Sequence, residues 1–316
     1  MVYVIDGHID TATAILRQYR LFSERSDRNH VDLPRMREGK VQAALFAIYP
    51  AMSRYNLING LDIWFKLVED PKNELMHIKK VSDFDKAKKE GKIGAVLHFE
   101  GAGGIDSEFQ ILRLAYRLGL RTMGISWSNI NNYATGMLFQ GPQVDRGLTL
   151  EGKELVKESQ KLGITIDASH LNEPSFWDLM DVTEKPIFTS HSNARAIGPH
   201  QRNLTNEQIK AIYDTKGTIG INFCASFLDK EMRINPDPVD LPLEIFKEHI
   251  DHIVEQTDIN TVAMGSDYDG ATVPECMSDC STFPKLLDFL SDTYSKDDLE
   301  KIGSKNLMRV FSDTWK

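Results

Sequence analysis

Eight short apolar runs punctuate this chain: Val2–Ile5, Gln42–Tyr49, Lys92–Phe99, Arg121–Ile125, Ile164–Ile166, Pro186–Thr189, Thr218–Phe223 and Thr261–Gly265. Between most of them lie longer stretches whose apolar positions fall three and four apart, the spacing of one helix face. Strands alternating with helices predict a parallel sheet, because each helix carries the chain back to start the next strand in the same direction. Helices are predicted from Thr11 to Phe22, Ser107 to Leu118 and Leu148 to Leu162, the last with Gly163 at its C-cap. Others follow in Leu171–Glu184, after the capping-box residues Thr205–Gln208, in Leu243–Gln256 and in the closing Asn306–Phe311. Ser53–Gly91 is read as two or three more, with Pro71 as a break and Ser82 as an N-cap. The charged ELMHIKK segment would put His77 on a solvated helix face, and the proline-rich NPDPVDLP would form a loop.

This alternation fits an α/β fold of the (β/α)8 TIM-barrel type, which takes roughly 250 residues. At 316 residues the chain leaves the remainder for rim elaborations. No repeat, low-complexity run or linker divides it, so residues 1–316 are read as a single domain.

In such a barrel the carboxyl ends of all strands open on one face, where function sits. The first strand runs into Asp6-Gly7-His8-Ile9-Asp10. Residues two apart in extended chain point the same way, so His8 and Asp10 can face one point, with Gly7 permitting close backbone approach. The third strand ends in Glu100 and a glycine-rich turn, where a carboxylate can bridge two cations, and His98 would lie on the same side. His170 and His191 follow two consecutive strands and would meet although 21 positions separate them; Asp267 follows the eighth strand. Singly, each could cap a strand. Five strand ends carrying such groups on one rim point instead to a metal centre. The fourth strand leads into Ser126-Trp127-Ser128 and an Asn-rich NINNYATG, a candidate substrate-side loop.

Composition narrows the partners. With 37 basic and 46 acidic residues the net charge is −9, which argues against nucleic acid or an anionic membrane surface. Three cysteines, Cys224, Cys276 and Cys280, suit a reducing compartment better than a disulfide framework. The opening MVYVIDGHID lacks the basic flank of a signal peptide, and no apolar run is long enough to span a bilayer. A cytoplasmic location is therefore expected.

Over nearly its whole length the chain resembles the membrane (renal-type) dipeptidases, the M19 branch of the amidohydrolase superfamily. The motifs that carry the likeness are DGHID, Glu100 with its glycines, LRLAYRLGLR, GLTLEGKELVKE, LGITIDASH, PIFTSHSNA, the QRN of Gln201–Asn203, GSDYDG and NLMRVF. The resemblance implies two zinc ions, one held by His8 and Asp10, the other by His170 and His191, with Glu100 between them. It makes Asp267 the acid/base group and Arg202 the clamp on a substrate carboxylate. A hydroxide bridging the ions would attack the peptide bond of a short dipeptide, including dipeptides with a D-residue at the C-terminal position. A homodimer is compatible with the likeness. At Trp127 the chain departs from relatives that carry a histidine there, proposed to contact the substrate carbonyl; indole donates one hydrogen bond and cannot titrate. The alternative within the superfamily is a hydrolase of a lactone or cyclic amide.

Overall fold

The computed structural model describes residues 2–142, 144–229 and 240–316. Residues 235–239 of the predicted proline-rich loop lie outside these. Among the described residues nine strands form one parallel sheet: β1 (Val4–Ile9), β2 (Val41–Ile48), β3 (Leu75–His77), β4 (Ile93–Glu100), β5 (Leu120–Gly124), β6 (Thr165–Asp167), β7 (Phe188–Thr189), β8 (Thr218–Ile221) and β9 (Val262–Met264). Their order is β2-β1-β9-β8-β7-β6-β5-β4, and β2 pairs back onto β4 through Ala43–Ile48 and Gly94–Phe99, closing an eight-stranded (β/α)8 barrel. Closure removes the unpaired edges that an open sheet would expose.

The ninth strand, β3, is a correction to the sequence reading. ELMHIKK forms no helix: Leu75–His77 pairs with Ile93–Ala95 of β4, on the edge that β5 takes over at Leu97–Glu100. His77 is therefore half-buried, its ring 5.0 Å from that of Trp64, rather than solvated. Three residues are too few to show a period, so the flanking charges dominated the pattern. The predicted cap Ser82 is instead the first helical residue, and Val81 precedes it without a side-chain cap.

Elsewhere local chemistry sets the helix ends. Gly163 ends its helix at φ +97° and Thr205 with Gln208 completes a reciprocal capping box, whereas the predicted start at Leu148 moves to Leu150, because the Thr149 side chain accepts from Gly152 N–H and caps the helix there. One end of the barrel is plugged by apolar side chains. Ile5, Leu45, Val96, Phe188 and Ala263, from five strands, form a cluster with Phe84 and with Phe311 of the final helix, Asn306–Thr314. The polar groups collect at the opposite, carboxyl ends.

Candidate metal centre

The predicted site residues reach the centre from different depths. His8 lies within β1 and Glu100 is the last residue of β4, whereas His170, His191 and Asp267 fall two or three positions beyond β6, β7 and β9. The strand-end loops are tied together: Asp267 N–H donates to His8 O at 3.1 Å, and Met137 N–H to His170 O at 2.7 Å. His170 and Asp267 take left-handed backbone, at φ +67° and +64°. Such strain in non-glycine residues costs on the order of 1–3 kcal/mol and persists where surrounding structure enforces it.

The side chains converge. Glu100 Oε1 lies 3.0 Å from His170 Nε2 and 3.7 Å from both His191 Nε2 and His8 Nε2. The two nitrogens of His170 and His191 are 2.9 Å apart, and His8 Nε2 is 3.5 Å from Asp10 Oδ2. Two triads, Glu100/His170/His191 and His8/Asp10/Asp267, each have ligand atoms within 4.8 Å of one another, and a third grouping, His8/Asp167/His191, has the same spacing. Ligands about 2.1 Å from a tetrahedral ion stand about 3.4 Å apart, close to these spacings. Two buried atoms of the second triad, His8 Nε2 and Asp10 Oδ1, have no hydrogen-bond partner. A cation between the triads would satisfy both, and Glu100 is the one carboxylate of the two triads placed to reach either group.

Beneath the triads sits a buried support that the sequence reading did not assign. Ser190 Oγ is 2.5 Å from Asp167 Oδ2, 2.6 Å from His191 Nδ1 and 3.3 Å from His8 Nδ1. A carboxylate only accepts, so the serine proton goes to Asp167 and its lone pairs face the two imidazoles. Both rings are thereby held with Nδ1–H inward and the Nε2 lone pair toward the centre, the tautomer a metal ligand requires. Asp167 Oδ1 accepts from the backbone N–H of Ser169 and Ser190, both at 2.9 Å. On β1, Asp6 accepts from Ser266 N–H at 2.8 Å and Ser266 Oγ at 2.5 Å. The spacing Asp6-x-His8-x-Asp10 and the pair Asp167/His170 were the available signals; the hydroxyls carry none. Space for Ser190 depends on small neighbours, since a Cβ on Gly7 or Gly265 would lie 2.7 or 1.8 Å from its carbonyl oxygen.

The centre holds more acid than base. Burial, then the proximity of Asp10, pushes Glu100 well above the ordinary carboxylate range. Burial raises Asp267 to about 6, against the opposing pull of His8. Burial would neutralise His8, yet Glu100 and Asp10 drive its pKa up to about 10, while burial and the nearby cations Arg202 and His8 hold His170 and His191 well below the usual imidazole value. Crowded carboxylates that hold a proton on His8 and face two neutral imidazoles, His170 and His191, are what a divalent cation in place of that proton would stabilise.

Arg202 is 4% exposed, with Nε 3.1 Å from His170 Nδ1, Nη1 donating to Ser192 Oγ at 3.0 Å and Nη2 to His191 O at 3.1 Å. It stands behind His170. Its open side faces a second cavity of about 690 Å³, whereas Asp10, Glu100, His170 and Asp267 line a cavity of about 550 Å³. Trp127 lines that first cavity, its ring 5.7 Å from His170. In the Asn-rich NINNYATG, Tyr133 donates to Ile105 O and Asn131 accepts from its own loop, while Trp127 and Phe139, on either side of it in the chain, line the first cavity. In GSDYDG only the first aspartate serves the centre. Asp269 is spent on Arg20, at 2.6 Å, and on His30 N–H, at 2.8 Å.

The family described as membrane dipeptidase (peptidase family M19) matches the chain over residues 1–316. A Klebsiella pneumoniae protein known only as an uncharacterized protein in the pqqA 5′ region is 36% identical over 238 residues, which is 74% of this chain and 87% of that one. Among solved structures, a metallopeptidase of family M19 named dipeptidase AC superposes with a TM-score of 0.92 at 29% identity, covering 99% of each chain. A Rhodobacter sphaeroides metallopeptidase, liganded with a phosphinate mimic of the dipeptide L-Ala-D-Ala, gives 0.91 at 29% identity and the same coverage.

Proposed function

We propose that this chain, which belongs to the membrane dipeptidase family (peptidase family M19) and is by that membership a metallo-dipeptidase, works with two zinc ions on dipeptides that include L-Xaa-D-Xaa. The observation that carries the reading is the pair of ligand triads with Glu100 between them. Three imidazoles among the donors suit zinc better than magnesium or calcium, which prefer all-oxygen sets. Such an ion pair, when bound, acidifies a water molecule and polarises the scissile carbonyl.

This chain's own groups supply the rest. Asp267 has the position and the raised basicity to accept a proton from the attacking water and pass it to the leaving amine; Asn222 Nδ2 donates to its Oδ2 at 3.1 Å and fixes its orientation. Arg202 places a permanent positive charge beside His170 that draws the substrate's free carboxylate to this side of the centre. Trp127 contributes a ring face in place of a titrating side chain. The ligand of the Rhodobacter sphaeroides relative supports acceptance of a D-residue at the C-terminal position. Three unpaired cysteines support a reducing, cytoplasmic setting, and no helix among the described residues is long and apolar enough to cross a membrane.

The test is hydrolysis of L-Ala-D-Ala and L-Ala-L-Ala, beside a lactone and a cyclic amide, before and after chelation. Dipeptide cleavage that chelation abolishes and zinc restores is expected. Full activity without metal, or turnover of the lactone or cyclic amide in place of dipeptides, would overturn the reading.

A further inference from the structure

Leading outward from His170, four aromatic rings form a continuous wall of the first cavity. Trp127 stands 5.7 Å from the histidine, and its ring lies 5.2 Å from Tyr49 and 5.6 Å from Phe139. Phe227 continues the line, parallel to Phe139 within 5° at 6.4 Å. The same cavity is also lined by polar groups, among them Arg17, Gln18 and Thr13. Phe139 is 46% exposed, although a free phenyl ring at a cavity mouth leaves apolar surface in water. Among the described residues the Trp127 indole N–H donates to no protein acceptor. The wall also marks one side of the centre. Phe227 lies 5.9 Å from the Arg202 guanidinium, which itself touches His170.

Resting on the dipeptidase reading, we propose that this wall is the binding surface for the side chain of the dipeptide's C-terminal residue, and that the enzyme selects an aromatic or large aliphatic side chain there. Arg202 lines the second cavity and not the first, but His170 lines both and Phe227 lies 5.9 Å from the guanidinium; a dipeptide's carboxylate and its C-terminal side chain leave the same carbon, so a carboxylate held beside His170 by that charge lays the side chain along the neighbouring rings. The amine end then turns toward Asp10 and Asp267. Aromatic contact and removal of apolar surface from water both favour a ring or branched chain over a methyl group, and a charged side chain would lose its hydration against four rings. Phe139 is the specificity-determining residue at the open end, where a short side chain does not reach.

The zinc-loaded enzyme and its Phe139→Ala variant are to be compared on Ala-Ala, Ala-Phe, Ala-Leu, Ala-Asp and Phe-Ala, each with L- and D-residues at the C-terminal position. Wild type is expected to favour Ala-Phe and Ala-Leu over Ala-Ala by about tenfold or more in kcat/KM, chiefly through KM, with Ala-Asp poorest. Phe139→Ala is expected to shrink the Ala-Phe to Ala-Ala ratio severalfold. Equal use of Ala-Ala and Ala-Phe, a stronger preference for Phe-Ala, or an unchanged ratio in the variant would overturn this subsite while leaving a working dipeptidase. No turnover of any dipeptide would overturn the dipeptidase reading and the subsite with it.

Discussion

Ser190→Ala isolates the support beneath the centre. The substitution deletes one oxygen and with it the contacts to Asp167 Oδ2 at 2.5 Å, His191 Nδ1 at 2.6 Å and His8 Nδ1 at 3.3 Å. Asp167 keeps two backbone donors on Oδ1, so the barrel retains its anchor, and the loss of one buried bond to a carboxylate costs about 1.5–3 kcal/mol of stability. For the ions the consequence is more specific. Removing a hydrogen-bond partner of a ligating histidine weakens metal binding about 10–100-fold. Because this hydroxyl holds one histidine from each triad, both ions should weaken together. Ser128→Ala provides the contrast, since among the described residues Ser128 Oγ bonds only to His170 Nδ1, at 2.9 Å, and its loss should loosen one ion alone. Zinc competition against a chelator that resolves two affinities measures this, with melting of the metal-free variants recording any general loss of fold. Wild-type affinity for either ion in Ser190→Ala would refute the shared anchor. A wild-type protein that takes up no zinc would refute the metal centre itself.

Two further outcomes follow from particular contacts. In Gly270→Ala the new Cβ would fall 2.0 Å from Asp10 Oδ2 and 2.7 Å from Asp267 Oδ1, so the folded variant should lose at least about tenfold in kcat/KM and bind zinc less tightly; unchanged values would show that the two carboxylates tolerate displacement. His77, far from the centre, has its pKa lowered to about 4 by burial and then by Lys79, so the folded state favours its neutral form. That contribution is complete above the ordinary value of 6.5 and is lost as pH falls toward 4, which amounts to about 1–2 kcal/mol by pH 5 for a half-buried ring. Denaturant titrations between pH 7 and 5 should show this loss in wild type and a flatter profile in His77→Phe; identical slopes would exclude His77 as its source.

Period and punctuation in the sequence were enough for the barrel, since eight apolar runs, the capping box at Thr205 and the C-cap Gly163 are local signals with local causes. That these candidate site residues converge was legible for a related reason. In a parallel barrel the strand ends share a rim, so His8, Asp10, Glu100, His170, His191 and Asp267 could be gathered from topology before any distance was known. Tertiary structure alone decided how deep each group sits, because hydrogen-bond register is a pairwise property of strands far apart in sequence. It also decided which hydroxyl supports which imidazole, that His77 belongs to a three-residue strand, and that Arg202 stands behind His170 between two cavities. Ser190, Phe139 and Phe227 look like ordinary residues along the chain; their roles come from what packing puts beside them, and no linear pattern encodes a neighbour reached across the barrel.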